Sequence, residues 1–155
     1  PAMIAKLSDL MRYFIDDSPK DKVPLTTELE FVNNYLELEQ IRMLHPLRVN
    51  INIEGNISDV KVAPMLLMPF IENVFKHGID KTEKTNFLQA DINIQDGKLM
   101  YKVVNSLHNG NGAAISKGFG LVNLRKRLEL IYPGQFQLDT KQQDHRFIAE
   151  LQIPV

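Results

Sequence analysis

Pro64-Met65-Leu66-Leu67-Met68-Pro69-Phe70-Ile71-Glu72-Asn73-Val74-Phe75-Lys76-His77-Gly78 is the stretch from which the rest of the chain is read. An apolar body, Met65 to Ile71 with Pro69 inside it, runs into a polar end of Glu72, Asn73, Lys76 and His77. The pattern predicts a helix from Pro64 to His77, with a proline in its first turn and Gly78 just past its end. Pro69 either kinks that helix or marks where its regular part begins. Residues three and four apart are neighbours on a helix, so Glu72 and Lys76, with Asn73 a step round, share a side. An amide oxygen can ligate Mg²⁺, an ammonium neutralises phosphate, and a carboxylate can hold a metal-bound water or take a proton. The same residues also read as an ordinary helix end, with Lys76 and His77 at the negative pole of the macrodipole.

Working outward, Leu88, Ala90, Ile92 and Ile94 alternate, Asp96-Gly97 turns the chain, and Leu99, Tyr101 and Val103 alternate back, which predicts a hairpin. Ser106 to Lys117 is polar and rich in Gly and Asn. Gly118-Phe119-Gly120-Leu121-Val122-Asn123-Leu124-Arg125 then runs into a helix expected from Gly120 to Tyr132. Free N–H groups at such a helix start can cradle phosphate; a flexible loop before an ordinary helix is the alternative. Strands near Gln135–Thr140 and His145–Ile153 form a last antiparallel pair. Upstream, Leu47 to Ile53 alternates as a half-buried strand. Thr27 and Glu30 form a capping box for a helix reaching about Leu44. Ala2 to Asp16 carries an apolar stripe of Ile4, Leu7, Leu10, Met11, Phe14 and Ile15, which needs a partner and fits the tail of a longer helix that packs in a dimer. The order helix, helix, strand, helix, hairpin, helix, hairpin predicts an α+β, two-layer sandwich: a mixed, mostly antiparallel sheet with helices on one face.

The chain has 155 residues, enough for one domain. The net charge of -1 gives no basic balance for nucleic acid. Zero cysteines exclude a disulfide framework and a Cys-based metal site. No apolar run reaches membrane-span length and no signal peptide is seen, so a cytoplasmic domain is expected. The first residue is Pro1, which reads as an excised segment. The break near Ser18–Pro24 divides residues 1–18, the end of a dimerisation helix region, from residues 19–155. The four histidines show no metal-ligand spacing. The Arg125-Lys126-Arg127 run reads as a solvated helix face, with one member able to reach phosphate.

In order along the chain, these segments resemble the histidine kinases of the LytS/YehU type, within the GHKL ATPase superfamily. The resemblance rests on Leu7-Ser8-Asp9-Leu10-Met11-Arg12-Tyr13; on Leu25-Thr26-Thr27-Glu28-Leu29 through Tyr35-Leu36-Glu37-Leu38-Glu39-Gln40-Ile41-Arg42; on Pro64 to Gly78, which matches the N box; and on Gly118 to Leu128. It implies a Bergerat-type fold that binds ATP and Mg²⁺ between the N-box helix and a lid loop. It implies that Asn73 ligates Mg²⁺, that Glu72 aids the water shell or acts as base, and that Lys76 and His77 approach the phosphates. Gly118 and Gly120, with Leu121 in the same box, would let the lid close, and Asn123 would sit beside the phosphates. The domain would phosphorylate a histidine and pass the group to a response regulator, as part of a homodimer held at a bacterial inner membrane by segments outside this chain. Two departures follow. None of His45, His77, His108 or His145 has the phosphoacceptor context, so that histidine is expected upstream. Asn105 stands where the superfamily has its adenine-reading Asp, and a neutral acceptor bonds more weakly than an ionised one, so weak ATP binding is expected. A non-catalytic module of the same fold is the alternative.

Overall fold

The computed structural model describes residues 2–108 and 119–155. Five strands form one sheet: β2 (Arg48–Glu54), β4 (Phe87–Gln95), β5 (Lys98–Ser106), β7 (Arg146–Pro154) and β6 (Gln137–Gln143), in the order β2-β4-β5-β7-β6. Only the β2–β4 pair is parallel. A two-stranded ribbon of β1 (Val23–Pro24) and β3 (Lys61–Val62), which is too short to carry an alternation signal, ties the start of the second helix to the segment before the N box. Helices α1 (Ala2–Arg12), α2 (Leu25–Ile41), α3 (Met68–Asn73) and α4 (Phe119–Ile131) complete the described elements.

The alternation in β4 and β5 places Leu88, Ala90, Ile92, Leu99, Tyr101 and Val103 on the helix-covered face, all buried. The opposite face carries Gln89, Asp91, Asn93, Lys102 and Glu150, exposed or half-buried. The hairpin between β4 and β5 turns at Asp96 and Gly97, at φ 53° and 70°, the double positive-φ pair of a type I′ turn. The β6–β7 hairpin uses the same geometry at Asp144 and His145, at φ 51° and 61°. Neither is glycine, which is why the turn had no composition signal and β6 extends past Thr140 to Gln143.

Four local expectations are corrected. First, α2 begins at Leu25 behind Pro24, and no side-chain cap from Thr27 is made. Glu28 of its first turn points inward instead. Second, α2 ends at Ile41, short of Leu44. Third, α3 begins at Met68 and not at Pro64; of the two readings of Pro69, the one in which it marks the start of the regular helix holds. Fourth, β2 is an edge strand whose apolar side is poorly covered; Val49 is 36% and Ile53 44% exposed. The apolar stripe of α1 divides. Leu10 and the following Tyr13 pack inward, while Ile4, Leu7, Met11 and Ile15 stay exposed.

Candidate functional site

The N-box segment fills the centre of the domain. Leu66, Leu67, Met68, Phe70 and Ile71 are each at most 2% exposed. Phe70 meets the ring of Tyr101 edge-on at 4.7 Å, and the Tyr101 hydroxyl donates to the Leu67 carbonyl at 3.2 Å. This packing fixes where the polar end of the helix lies. After Asn73 the backbone widens into a π turn over Val74–Gly78, closed by the Ile79 N–H to the Val74 carbonyl at 3.0 Å. Such widened turns are rare and recur at functional sites.

The widening separates the polar residues. Asn73 points into the domain at 6% exposure, and its Oδ1 has no hydrogen-bond partner among the described residues. Glu72 and Lys76 form an ion pair at 3.8 Å at the rim, with the Lys76 side chain 66% exposed. His77 is half-buried. Gly78 lies against the end of the Asn105 side chain: a Cβ at Gly78 would sit 2.2 Å from Asn105 Nδ2. The structure thus brings the end of the N-box segment against the Asn105 side chain.

Asn105 ends the inward-facing series Leu99, Tyr101, Val103 on β5 and is 1% exposed. Its Nδ2 donates to the Ser106 carbonyl at 2.9 Å, which fixes the sense of the amide. Its Oδ1 is therefore turned away, buried and without a partner among the described residues. Around this end of the sheet, Asn86 donates to the Asp80 carbonyl at 2.6 Å, and His108 Nε2 lies 3.0 Å from Asn86 Oδ1. Thr82 donates to Asp80 from both its hydroxyl and its N–H, which holds that carboxyl below the usual range; the His108 charge adds a smaller pull.

Of the second constellation, Gly118 and the loop residues before it lie outside the described residues. Gly120 has open space where a Cβ would be, Asn123 is exposed, and Leu121 packs against the core. Arg125 and Arg127 are not simply solvated. Arg125 donates to the Leu138 carbonyl, and Arg127 to the carbonyls of Pro64 and Met65 at 2.5 and 3.1 Å.

Two buried carboxylates escaped the sequence reading. Glu28 is 1% exposed and Glu39 8%. Both fall on the apolar stripe of α2, with Leu25, Leu29, Val32 and Leu36, and a charge inside such a stripe was the legible signal. Glu39 lies 3.4 Å from Arg42 and 3.6 Å from Lys81, ion pairs that leave its Oε2 without a hydrogen bond. Nearby, burial, then the Glu39 and Glu72 charges, push the Tyr35 phenol upward.

Among the described residues no group of three His, Asp or Glu side chains could hold a metal ion. A single amide oxygen fits Mg²⁺ nonetheless, because that ion usually keeps several waters and is held by one or two protein ligands plus phosphate oxygens. The Asn73 Oδ1, buried and without a partner among the described residues, has the chemistry such a ligand needs.

Comparisons with solved structures agree with this fold. The catalytic domain of the histidine kinase ThkA superposes with a TM-score of 0.61 at 16% identity, covering 86% of this chain and 93% of that one. The Acinetobacter baumannii histidine kinase AdeS gives a TM-score of 0.62 at 12% identity over 97% and 76%. The fold is that of a histidine kinase catalytic domain. A family model described as histidine kinase matches residues 1–47, across α1 and α2. The Staphylococcus aureus sensor histidine kinase/phosphatase LytS is 32% identical over 115 residues, 74% of this chain and 19% of that protein. The sensor protein LytS of Oceanobacillus iheyensis is 28% identical over 110 residues, 71% and 18%. Over 71–74% of its length the chain is similar to these LytS sensor proteins, and it spans less than a fifth of their length.

Proposed function

We propose that this domain binds ATP with Mg²⁺ between the end of α3 and the segment leading into α4. The γ-phosphate then passes to a histidine outside this chain and on to an aspartate of a response regulator. The observation that carries the reading is the pair of buried amide oxygens, Asn73 Oδ1 and Asn105 Oδ1, without partners among the described residues at the two positions that the resemblance gives to metal and adenine. A buried polar atom left unpaired costs about 1–3 kcal/mol, a cost relieved when a cation or an N–H donor arrives. Asn73 would hold Mg²⁺, which neutralises charge on the phosphates when bound. Asn105 Oδ1 would accept from the adenine N6 amine, its other end pinned by Ser106.

The rim residues supply mobile charge. A surface ion pair contributes about 0–1 kcal/mol, so Lys76 can leave Glu72 for a phosphate at little loss. That frees Glu72 to hold a metal-bound water or take a proton. His77 approaches the same phosphates. On the family pattern Gly118 and Gly120, with Leu121 in the same box, would let a lid close on them, and Asn123 of α4 would sit beside them.

The structure of ThkA in complex with its response regulator TrrA matches 97% of this chain at a TM-score of 0.61, which supports a response-regulator partner. The exposed stripe of α1 supports a homodimer in the longer protein. No helix among the described residues is long and apolar enough to cross a membrane; membrane attachment would come through segments outside this chain. Thermal denaturation tests the nucleotide reading. ATP should raise the midpoint only when Mg²⁺ is present, and addition of EDTA should reverse the shift. No shift at any Mg²⁺ concentration would leave a non-catalytic module of this fold.

A further inference from the structure

Glu28 is a buried carboxylate whose partners lie on two other elements. Its Oε1 accepts from the N–H groups of Leu66 and Leu67 at 2.7 and 3.2 Å. Its Oε2 accepts from the Met65 N–H at 3.2 Å and from the Tyr13 hydroxyl. The Tyr13 oxygen in turn accepts from the Met65 N–H at 2.9 Å. Met65 sits at φ 59°, the left-handed region that is unfavourable for a side chain of its size. Its carbonyl is held from the other side by Arg127. The peptide that launches the N-box helix is thus strained and clamped at both ends.

One clamp comes from α1. Tyr13 opens the π turn Tyr13–Asp17 that continues α1, and its ring lies on Phe31 of α2 at 4.2 Å. The rest of α1 is lightly seated. None of its residues is buried, and its other ties are Leu10 and a Lys6–Glu37 ion pair. A rotation of α1 that withdrew the Tyr13 hydroxyl would remove one donor from Glu28 and one acceptor from Met65. The launching peptide could then relax. The six residues of α3 rise by only about 9 Å, so a shift at Met65–Leu67 carries to Asn73 as a rigid displacement.

We propose that Tyr13, acting through Glu28, is a positioning residue for the N-box helix, so that the seat of α1 on the domain sets the placement of Asn73. The consequence for nucleotide rests on the ATP reading above; the consequence for the helix does not.

The test uses this chain with Tyr13→Phe, which keeps the ring on Phe31 and removes only the hydroxyl. Amide hydrogen exchange at Met65, Leu66 and Leu67 should accelerate about tenfold, the change that loss of one hydrogen bond of ordinary net strength produces. Exchange in β4, β5 and β7 should stay as it was. The Asn73 side-chain amide resonance should move, and Mg²⁺-ATP affinity should fall several-fold. Glu28→Gln, which keeps an acceptor oxygen, should restore most of the protection that Glu28→Ala removes. Unchanged exchange at 65–67 in Tyr13→Phe, or an acceleration spread evenly over the sheet, would overturn the proposal. Failure of the wild-type chain to bind nucleotide would sink the ATP reading alone, since exchange and the Asn73 resonance still decide the latch.

Discussion

Asn105 carries two opposed requirements. Its amide nitrogen is spent on the Ser106 carbonyl and its oxygen is held open. Asn105→Asp would set a carboxylate oxygen against that carbonyl in a site 1% exposed. We expect the free domain to lose about 1–3 kcal/mol, because a buried charge gains no donor. Adenine would supply one, so saturating Mg²⁺-ATP should recover more stability in the variant than in the wild type. Denaturant titration with and without nucleotide measures both. Gly78→Ala tests the other side of the same contact. With Asn105 pinned and buried, a Cβ 2.2 Å from Nδ2 forces a shift and should cost about 1–3 kcal/mol, read as a lowered denaturation midpoint. Asn73, Lys76 and His77 were legible as a polar helix end. The unpaired oxygens were not, because whether a buried oxygen finds a partner depends on how segments distant in sequence pack.

At the scale of the element, the start of α3 is decided outside α3. The helix has a residue with no side-chain cap at its N-terminus, and Glu28 of α2 satisfies the N–H groups ahead of it. Glu28→Ala leaves up to three buried N–H groups unpaired and should destabilise the domain by about 3 kcal/mol or more, whereas Glu28→Gln should lose roughly half as much. Equal losses in chemical denaturation would contradict the assignment. This is also where the sequence reading of the elements ran out. Thr27-x-x-Glu30 had the composition of a capping box, but Pro24 and the ribbon to β3 start the helix three residues earlier. A glutamate on an apolar stripe signalled burial without saying which N–H groups it meets. The Asp96-Gly97 hairpin was legible because its turn needs positive φ at both positions and its residues supply it. Asp144-His145 adopts the same turn without glycine.

For the whole molecule, the facing of the hairpin strands followed from alternation, and the sheet with helices on one side was readable before any coordinate; the order β2-β4-β5-β7-β6 was not. The β1–β3 ribbon was not, since two-residue strands carry no periodic signal, and the bare side of β2 was not, since its alternation signals a covered face. The core also makes stability depend on pH at the alkaline end. Burial holds the Tyr101 and Tyr13 phenols above the usual tyrosine range; for Tyr13 the bond to Glu28 adds to it, and for Tyr101 the Glu28 charge does. A group whose folded pKa is raised contributes fully below its unfolded value, about 10 for tyrosine, and loses that contribution as pH climbs above it. Stability should therefore be flat with respect to these groups up to about pH 10 and fall beyond it. Tyr101→Phe should be slightly less stable at neutral pH, through the lost bond to Leu67, and should fall less steeply above that point. Parallel slopes for the two proteins in denaturant titrations would refute this.

Binding of Mg²⁺-ATP at the buried amide oxygens of Asn73 and Asn105 is open to one decisive experiment. Calorimetric titration of Mg²⁺-ATP into the wild-type chain and into Asn73→Ala tests it most directly. The account predicts weak, Mg²⁺-dependent binding to the wild type that disappears in Asn73→Ala. Binding unaffected by the substitution, or none to the wild type even at millimolar nucleotide, would contradict it.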